Sequence, residues 1–296
     1  MQYYFDADSL IYAAGFCNQS TVVRCFGGEY TKLTEAYEHW VPQGISKEEI
    51  KGECTREVFA ADISHSIQSL KHMLTAQCTR AQKAYGEGSV ELFLTGKGNF
   101  RELLYPKYKA DRTPESKPVH YQELKDYMIK HLGAQLVHNM EADDKVSTSL
   151  WENQGSGCII AVDKDLLNTP GMHYNPKKEL AHIIVLDEAN RNFLMQLLTG
   201  DSTDNIPGLG AVTEPVRQEF ELSAHSLKGC GEKTAQRIYA RLKGNFLEKY
   251  QQIEELYDKS PCELDCLTNA KLLWMARGIT DGQAEQFIPN LLMETL

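Results

Sequence analysis

Nine acidic residues in four tight groups constrain this chain more than any other feature: Asp6 and Asp8; Glu141, Asp143 and Asp144; Asp163 and Asp165; Asp201 and Asp204. Each group sits beside an apolar run. Acids on a solvated face alternate with Lys. Acids parked at the ends of buried strands repel one another unless something divalent sits between them. The pattern therefore predicts a fold that gathers the four groups around a bound metal pair.

Apolar periodicity says how they could meet. Gln2 to Phe5 reads as a short buried strand ending at Asp6, followed by a helix from about Ser9 to Phe16. Residues 22 to 45 read as irregular, with a hairpin at Gly27-Gly28. Ser46 is a helix N-cap with Glu48 and Glu49 behind it. The spacing Val58, Ile63, Ile67, Leu70, Leu74 predicts a long helix to about Gln82. Val90 to Leu94, Leu136-Val137, Cys158 to Val162 and Ile183 to Leu186 read as strands. Helices are expected near Tyr121, from Glu141 and from Asp187 to Leu198. Alternating strands and helices imply an α/β fold, a mostly parallel central sheet with helices on both faces. Ligands of such sheets gather at the carboxyl ends of the strands, where Asp6, Glu141 and Asp163 fall. After residue 200 the pattern turns helical with Gly-rich turns, a second and smaller module.

At 296 residues and 42% hydrophobic the chain can bury a substantial core. It has no run of eighteen apolar residues, so no membrane span is expected. The start, with Asp6 and Asp8 inside its apolar run, reads as folded structure and not as a signal peptide. Eight cysteines without a CxxC pair predict reduced, buried thiols in a cytoplasmic protein and no zinc site. The net charge of −10 argues against a nucleic-acid partner only as an average. Between Lys97 and Lys130 eight basic residues face five acids, and another basic group follows Lys228. An acidic site flanked by basic strips suits an enzyme that holds Mg²⁺ and grips a phosphate backbone.

Hard Mg²⁺ prefers carboxylate oxygens, and two such ions can activate water and stabilise a leaving oxygen in phosphodiester cleavage. An i,i+3 spacing puts Glu141 and Asp144 on one helix face, and Asp201 and Asp204 likewise if that segment is helical. Each group also has a plainer reading: helix-start acids for 141–144, a loop for 163–165, turn and cap residues for 201–204. Those readings would have to hold at every site at once. Arg101, Lys107, Lys109 and Arg112 lie among Phe100, Tyr105 and Tyr108, cations beside aromatics as in single-strand binding, or equally a solvated basic face. Lys228-Gly229-Cys230-Gly231-Glu232-Lys233-Thr234-Ala235 has glycines entering a helix start, where free backbone N–H groups suit a phosphate, with Lys233 and Arg237 one turn apart.

Together these motifs, in this order, resemble the flap-endonuclease-like 5′-nuclease family, which includes the 5′-nuclease domain of bacterial DNA polymerase I and the exonucleases of tailed phages. The likeness runs through Phe5–Leu10, Phe100-Arg101, Tyr108–Arg112, Glu141–Asp144, Asp163–Asp165, Gly200–Gly208 and Lys228–Ala235. It implies a PIN-like nuclease core over 1–200 with a basic arch-like segment at 97–130. It also implies a helix–three-turn–helix duplex-binding module over 201–260 and C-terminal helices over 261–296 that pack back on the core. Carried over, Asp6, Glu141, Asp143, Asp144, Asp163, Asp165, Asp201 and Asp204 would hold two Mg²⁺ or Mn²⁺ ions, with Asp8 one step beyond the usual ligand. Lys109 and Arg112, with Arg101 nearby, would contact the scissile phosphate. Tyr12, Tyr108, Lys107, Lys228, Gly229, Gly231, Lys233, Thr234 and Arg237 would contact DNA, and Gly229 and Gly231 would offer carbonyls to K⁺. Core packing is the competing reading for Tyr12.

The implied activity is 5′→3′ exonuclease or flap endonuclease action on DNA with a 5′ end, flap or nick, or on an RNA–DNA hybrid, by a cytoplasmic monomer serving phage replication or recombination. Two departures stand out. Thr95 and Gly96 follow the strand where many relatives carry a metal-binding Asp, and some fifteen residues, about 209–226, are inserted before the Gly-x-Gly segment. Two other readings remain. One is a haloacid-dehalogenase-like phosphatase, from Asp6-Ala-Asp8 and Gly200-Asp201. The other is a catalytically weakened flap- or duplex-binding protein.

Overall fold

The structure, a computed structural model, describes residues 1–112, 117–153 and 155–275. Residues 113–116 of the expected arch and 276–296 of the expected C-terminal helices lie outside it. In chain order the elements open with β1 (Gln2–Asp6), α1 (Asp8–Phe16), β2 (Gln19–Cys25), β3 (Gly28–Tyr30), α2 (Leu33–Trp40), α3 (Lys47–Glu53), β4 (Thr55–Ala60) and α4 (Ile63–Tyr85). Then come β5 (Ser89–Thr95), α5 (Phe100–Leu104), α6 (Tyr121–Leu132), β6 (Gln135–Val137), α7 (Ala142–Glu152), β7 (Gly157–Ile160), β8 (Gly171–Asn175) and β9 (Leu180–Ile184). The rest is helical: α8 (Leu186–Thr199), α9 (Glu214–Glu219), α10 (Glu232–Tyr239), α11 (Phe246–Asp258) and α12 (Cys266–Leu273).

Two compact units divide the chain, one of residues 1–8, 77–113 and 134–296, the other of residues 9–76 and 114–133. The first holds a six-stranded sheet in the order β6-β5-β1-β7-β8-β9. All neighbours pair in parallel except the edge strand β9, which returns antiparallel beside β8. The central strands read as continuous apolar runs because both faces are covered. Tyr3, Tyr4 and Phe5 of β1 and all four residues of β7 are buried. The apolar face of α7, with Val146 and Leu150, packs against Tyr4, Phe93 and Ile159 of the sheet.

The boundary expected at residue 200 runs through a continuous core. Phe193, Leu194, Leu197 and Leu198 of α8 share one apolar cluster with Ile206, Leu209, Ala235, Ile238, Ile253, Leu256 and Trp274. The buried face of α8, from Ala189 to Leu198, joins what lies on either side of it. The loop between α8 and the later helices closes on itself. Asp201 and Ile206 exchange backbone hydrogen bonds at 2.9 and 2.8 Å, so Asp201 and Asp204 sit in a tight turn and not on a helix face. Gly200 and Gly208 pinch its neck at φ +68° and +64°.

The second unit contains a three-stranded antiparallel sheet, β3-β2-β4, where the sequence pattern suggested irregular chain and the start of a long helix. Phe26 and Gly27 both take positive φ, 49° and 77°, as a two-residue hairpin turn demands. Val58 belongs to β4, whose exposed residues carry little apolar signal. α4 begins at Ile63 and ends before Gly86, at φ 100°. Ser46 caps α3, accepting from Glu49 N at 3.2 Å. All eight cysteines are free thiols. Among the described residues no helix is long and apolar enough to cross a membrane.

A Cβ at Gly208 would lie 2.2 Å from Gly200 N, in a left-handed backbone that also penalises L side chains. Gly208→Ala is expected to cost ~2–4 kcal/mol in urea unfolding. A loss under ~0.5 kcal/mol, the level of an ordinary surface change, would show that the neck is not rigid.

Candidate active site

The strand order creates a switch point beside β1: the chain goes from β1 to β5 and β6 on one side, then returns to β7 on the other. At such a point the connecting loops diverge and leave a crevice at the carboxyl ends of the strands. Asp6 ends β1 at that crevice, Thr95 ends β5, Glu141 follows β6 and Asp163 follows β7. Ala7 N bonds Phe93 O at 3.0 Å, fixing the exit of β1 against β5.

Asp8 N donates to Asp6 Oδ1 at 3.3 Å, and Asp8 Oδ2 accepts from Thr95 N at 3.1 Å. The Thr95 hydroxyl accepts from Ala142 N at 2.9 Å and so anchors the start of α7. At that start Asp144 Oδ2 accepts from Glu141 N at 3.1 Å, which is partly the helix-start role that the plainer reading assigned to these acids. Asp165 N donates to Asp163 Oδ1 at 2.9 Å, and Gln196 of α8 donates to Asp165 Oδ1 at 2.5 Å. Thr203 N donates to Asp201 Oδ1 at 2.8 Å.

Cations interleave with these acids. Lys109 Nζ bonds Glu141 Oε1 and lies 3.3 Å from Asp204 Oδ2. Arg112 reaches Asp204 Oδ1 at 2.9 Å, and Lys164 reaches Asp201 Oδ2 at 2.8 Å. The Tyr108 hydroxyl donates to Glu141 at 2.7 Å and lies 3.2 Å from Asp204. The backbone is clamped as well: Lys109 N donates to Asp204 O at 3.0 Å, and the Asn205 side chain donates to Lys107 O at 2.9 Å. Lys109 and Asn205 both sit at positive φ, 54° and 62°. Such strain costs on the order of 1–3 kcal/mol and concentrates at working sites.

The charges do not balance. Burial, then Asp8 and Asp163, push the Asp6 carboxyl up to about 8. Burial, then Asp163 and Asp201, push Asp165 up to about 7. Burial, then Glu141 and Asp144, raise Asp143 well above the carboxylate range. Burial also pushes Glu141 upward, but Lys109 and Arg101 outweigh it and hold Glu141 below its usual value. For Asp201 burial is outweighed by the Lys164 hydrogen bond and the Thr203 amide. The crevice thus carries an excess of hard oxygen donors that its own cations leave partly uncompensated, a donor set that suits a divalent ion. As the side chains stand, no three His, Cys, Asp or Glu among the described residues are grouped to hold one. The cations hold the carboxylates in their present positions.

Three expected roles change. Arg101 does not face a phosphate: it is 1% exposed. It grips Asp144 through two bonds of 2.5 and 2.8 Å and donates to Leu272 O and Trp274 O. Asp144, fully buried in that pair, is held away from a ligand role. Tyr108, 5% exposed, has its ring in the core and cannot stack on a base as placed. Lys107 is exposed and paired with Glu263 at 2.6 Å. Tyr12 belongs to the second unit, where its ring meets Tyr121 at 5.4 Å and Phe16 at 6.2 Å, the packing role weighed against base stacking. Lys228, Gly231, Lys233 and Arg237 are exposed around the start of α10, with Gly229 and Thr234 partly so. The sequence reading missed Lys164, Gln196 and the Thr95 hydroxyl. Only Lys164, lying between two assigned acids, carried a local signal.

Removing one partner of a buried ion pair strands the other charge, so Arg101→Met should destabilise by ~3–5 kcal/mol, and Arg101→Met with Asp144→Leu should recover most of that loss in the same denaturation series. A proton-linked effect should accompany it. Asp6 and Asp165 hold protons in the folded state up to about 8 and about 7 but release them near 3.8 when unfolded. Folding therefore takes up protons between those limits, and stability falls as pH rises. His173, buried and lowered to about 4, acts oppositely, but only below its unfolded value of 6.5. With EDTA present, stability is expected to drop by roughly 2 kcal/mol from pH 6.5 to 8. A flat profile there would contradict the crowding of these acids.

No family model matches the chain. It is 28% identical over 182 residues to DNA polymerase I of Streptococcus pneumoniae serotype 4, an alignment covering 54% of this chain and 20% of that protein. It is 27% identical over 173 residues to flap endonuclease Xni of Shewanella piezotolerans, covering 53% of this chain and 68% of that one. The chain thus spans about a fifth of the polymerase it matches. The fold is similar to that of T5 5′-exonuclease solved with bound zinc, at a TM-score of 0.51 and 16% identity, covering 76% of this chain and 90% of the other. In sequence the chain is thus similar to proteins named as a DNA polymerase I and a flap endonuclease, and in fold to a 5′-exonuclease, in keeping with the resemblance to flap-endonuclease-like 5′ nucleases.

Proposed function

We propose that the chain is a divalent-metal-dependent 5′ nuclease that hydrolyses phosphodiester bonds near the 5′ ends, flaps or nicks of DNA. The observation that carries this reading is the meeting, at one sheet edge, of acids from four separate segments with Lys109 and Arg112 among them. Relatives named as a DNA polymerase I and a flap endonuclease, and a neighbour solved with divalent metal, support it.

Asp6, Glu141, Asp143, Asp163, Asp165, Asp201 and Asp204 would hold two Mg²⁺ or Mn²⁺ ions, with Asp144 fixing the start of α7 behind them. When bound, such ions lower the pKa of water and offset charge on the attacked phosphate. The protein supplies the rest. Lys109 and Arg112 exchange their carboxylate partners for phosphate oxygens and stabilise the charge that develops there. Tyr108, hydrogen-bonded to Glu141 and Asp204, fixes both acids from the core side. The strained, clamped backbone at Lys109 keeps its ammonium on a short tether.

Duplex DNA would be held at residues 228–237. Gly229 and Gly231 have no positive φ, and a Cβ added at either would meet no atom within 4 Å, so no internal contact demands glycine there. An approaching phosphate backbone would, since helix-start N–H groups favour a phosphate and a side chain there would stand in its way. The same reading extends to K⁺ at Gly229 and Gly231, action on RNA–DNA hybrids, a monomeric protein and a part in phage DNA replication or recombination.

The test is Mg²⁺-dependent release of nucleotides from a 5′-labelled flap duplex. Asp143→Ala and Asp201→Ala are each expected to lower turnover by at least ~10²–10³-fold with the circular dichroism unchanged. Undiminished hydrolysis by both variants would remove the site, and a preference for p-nitrophenyl phosphate over DNA would favour a phosphatase.

A further inference from the structure

A cavity of about 600 Å³ opens in the second unit between its small sheet and the helices packed on it, with Thr21, Val23 and Leu33 in its wall beside Lys32, Lys51 and Arg56. The strand register explains its charge. Val23 pairs with Arg56 and Arg24 with Thr55 across β2 and β4, and directly opposed residues share a face. Alternation puts Cys25 on the face of Val23 and Arg56, and Cys25 forms the core of this unit with Ala36 of α2 and Ile50 of α3. Arg56 therefore projects on the same side of the sheet as Cys25, where it is exposed at the cavity rim. Arg24 projects on the other, where it binds Glu29 at 2.7 Å and Glu57 at 2.5 Å. The acids of these strands are thus neutralised on the outer face.

Inside, the balance is different. Among the described residues no carboxylate side chain lines the cavity and none lies within ion-pair distance of Lys32, Lys51 or Arg56, although, after hydrogen bonds from Thr31, the charge of Lys32 helps hold nearby Glu35 below its usual value. Glu35, in the first turn of α2, is engaged by Thr31, whose N and Oγ1 donate to it at 2.8 and 2.6 Å. The Thr21 hydroxyl, on the same face of β2 as Val23, adds a hydrogen-bond donor to the wall. Three cations in one wall, with no carboxylate among the lining residues, favour an anion. A volume within the ~300–1,000 Å³ of small-molecule sites, with half-buried Leu33 and the edge of buried Val23 in its wall, suits an anion with an apolar body.

We propose that this cavity binds a nucleotide unit, its phosphate held by Lys32, Lys51 and Arg56 and its sugar or base lying against Val23 and Leu33. The choice of a nucleotide over another phosphorylated molecule rests on the nuclease reading. The nucleotide can come from two sources, a free mononucleotide or one residue of a strand, and both present the same chemistry.

Calorimetric titration of the full chain in EDTA, where hydrolysis is blocked, tests it with thymidine 5′-monophosphate, an oligothymidylate of eight residues and inorganic phosphate as probes. Both nucleotide probes should bind. Lys32→Ala with Arg56→Ala should weaken them by about tenfold or more, with an unchanged thermal midpoint, whereas Arg56→Lys should retain most of the affinity. Tighter binding of the oligonucleotide would assign the strand as the source, and equal affinity the free nucleotide. Absence of nucleotide binding at millimolar concentration in the unaltered chain would overturn the proposal, as would identical affinity in the double variant. A chain that binds nucleotide through Arg56 yet cleaves no DNA would sink the nuclease reading alone.

Discussion

The bond between Arg101 and Asp144 holds the acidic edge of the sheet in place. Both side chains are removed from water, at a desolvation cost of several kcal/mol each, and only close geometry with every donor satisfied makes that tolerable. The geometry meets the condition: two parallel bonds to the carboxylate, and further bonds to Leu272 O and Trp274 O. Burial lowers the guanidinium's affinity for its proton, yet Asp144 more than restores it. Three segments distant in sequence, α5, α7 and the end of α12 with the residue after it, meet in this one contact. Asp144 also accepts from Glu141 N, so the position of the first acid of α7 depends on the same arginine.

The cationic side of the crevice shows the same dependence at shorter range. Lys109 and Asp204 touch through both backbone and side chain, and each belongs to a loop strained into the left-handed region at Lys109 or Asn205. Neither loop would hold that shape alone. Together they place an ammonium and a guanidinium beside Glu141 and Asp204, where their charge lowers the repulsion that a metal would otherwise have to remove. Lysine and metal are alternative solutions to one electrostatic problem. This explains how a crevice rich in carboxylates can close on itself with its acids ungrouped, and why three of those acids still resist ionisation.

How much of this was legible in the sequence depends on the range of the forces. β1, β5, β6 and β7 announce themselves as apolar runs, three of them followed closely by acids, and a parallel sheet with acids at its carboxyl edge follows from those runs. β8 does not announce itself. Its sequence Gly-Met-His-Tyr-Asn has no apolar alternation, and its centre is a histidine kept neutral by burial. β4 is exposed along its length and so has no buried face to print a period on the sequence. The turn at 201–206 looked as much like a helix as a loop, because i,i+3 spacing occurs in both. The burial of Arg101 and Tyr108 was the least readable. Whether a cation-and-aromatic strip faces solvent or core is decided by partners such as Asp144 and Glu141, more than thirty residues away in sequence.

Thr95 shows what a neutral residue does at such a site. At the end of β5 its hydroxyl accepts from Ala142 N, while its own N–H donates to Asp8. That neutral position, at the end of β5, is a brace between β5, α7 and the exit of β1. Asp6 is already pushed up to about 8 by burial and by Asp8, Asp163 and Glu141. A further anion at position 95 would raise it more. A neutral Thr95 therefore spares Asp6 one more like charge, and Asp8 keeps a carboxylate within reach of the same place.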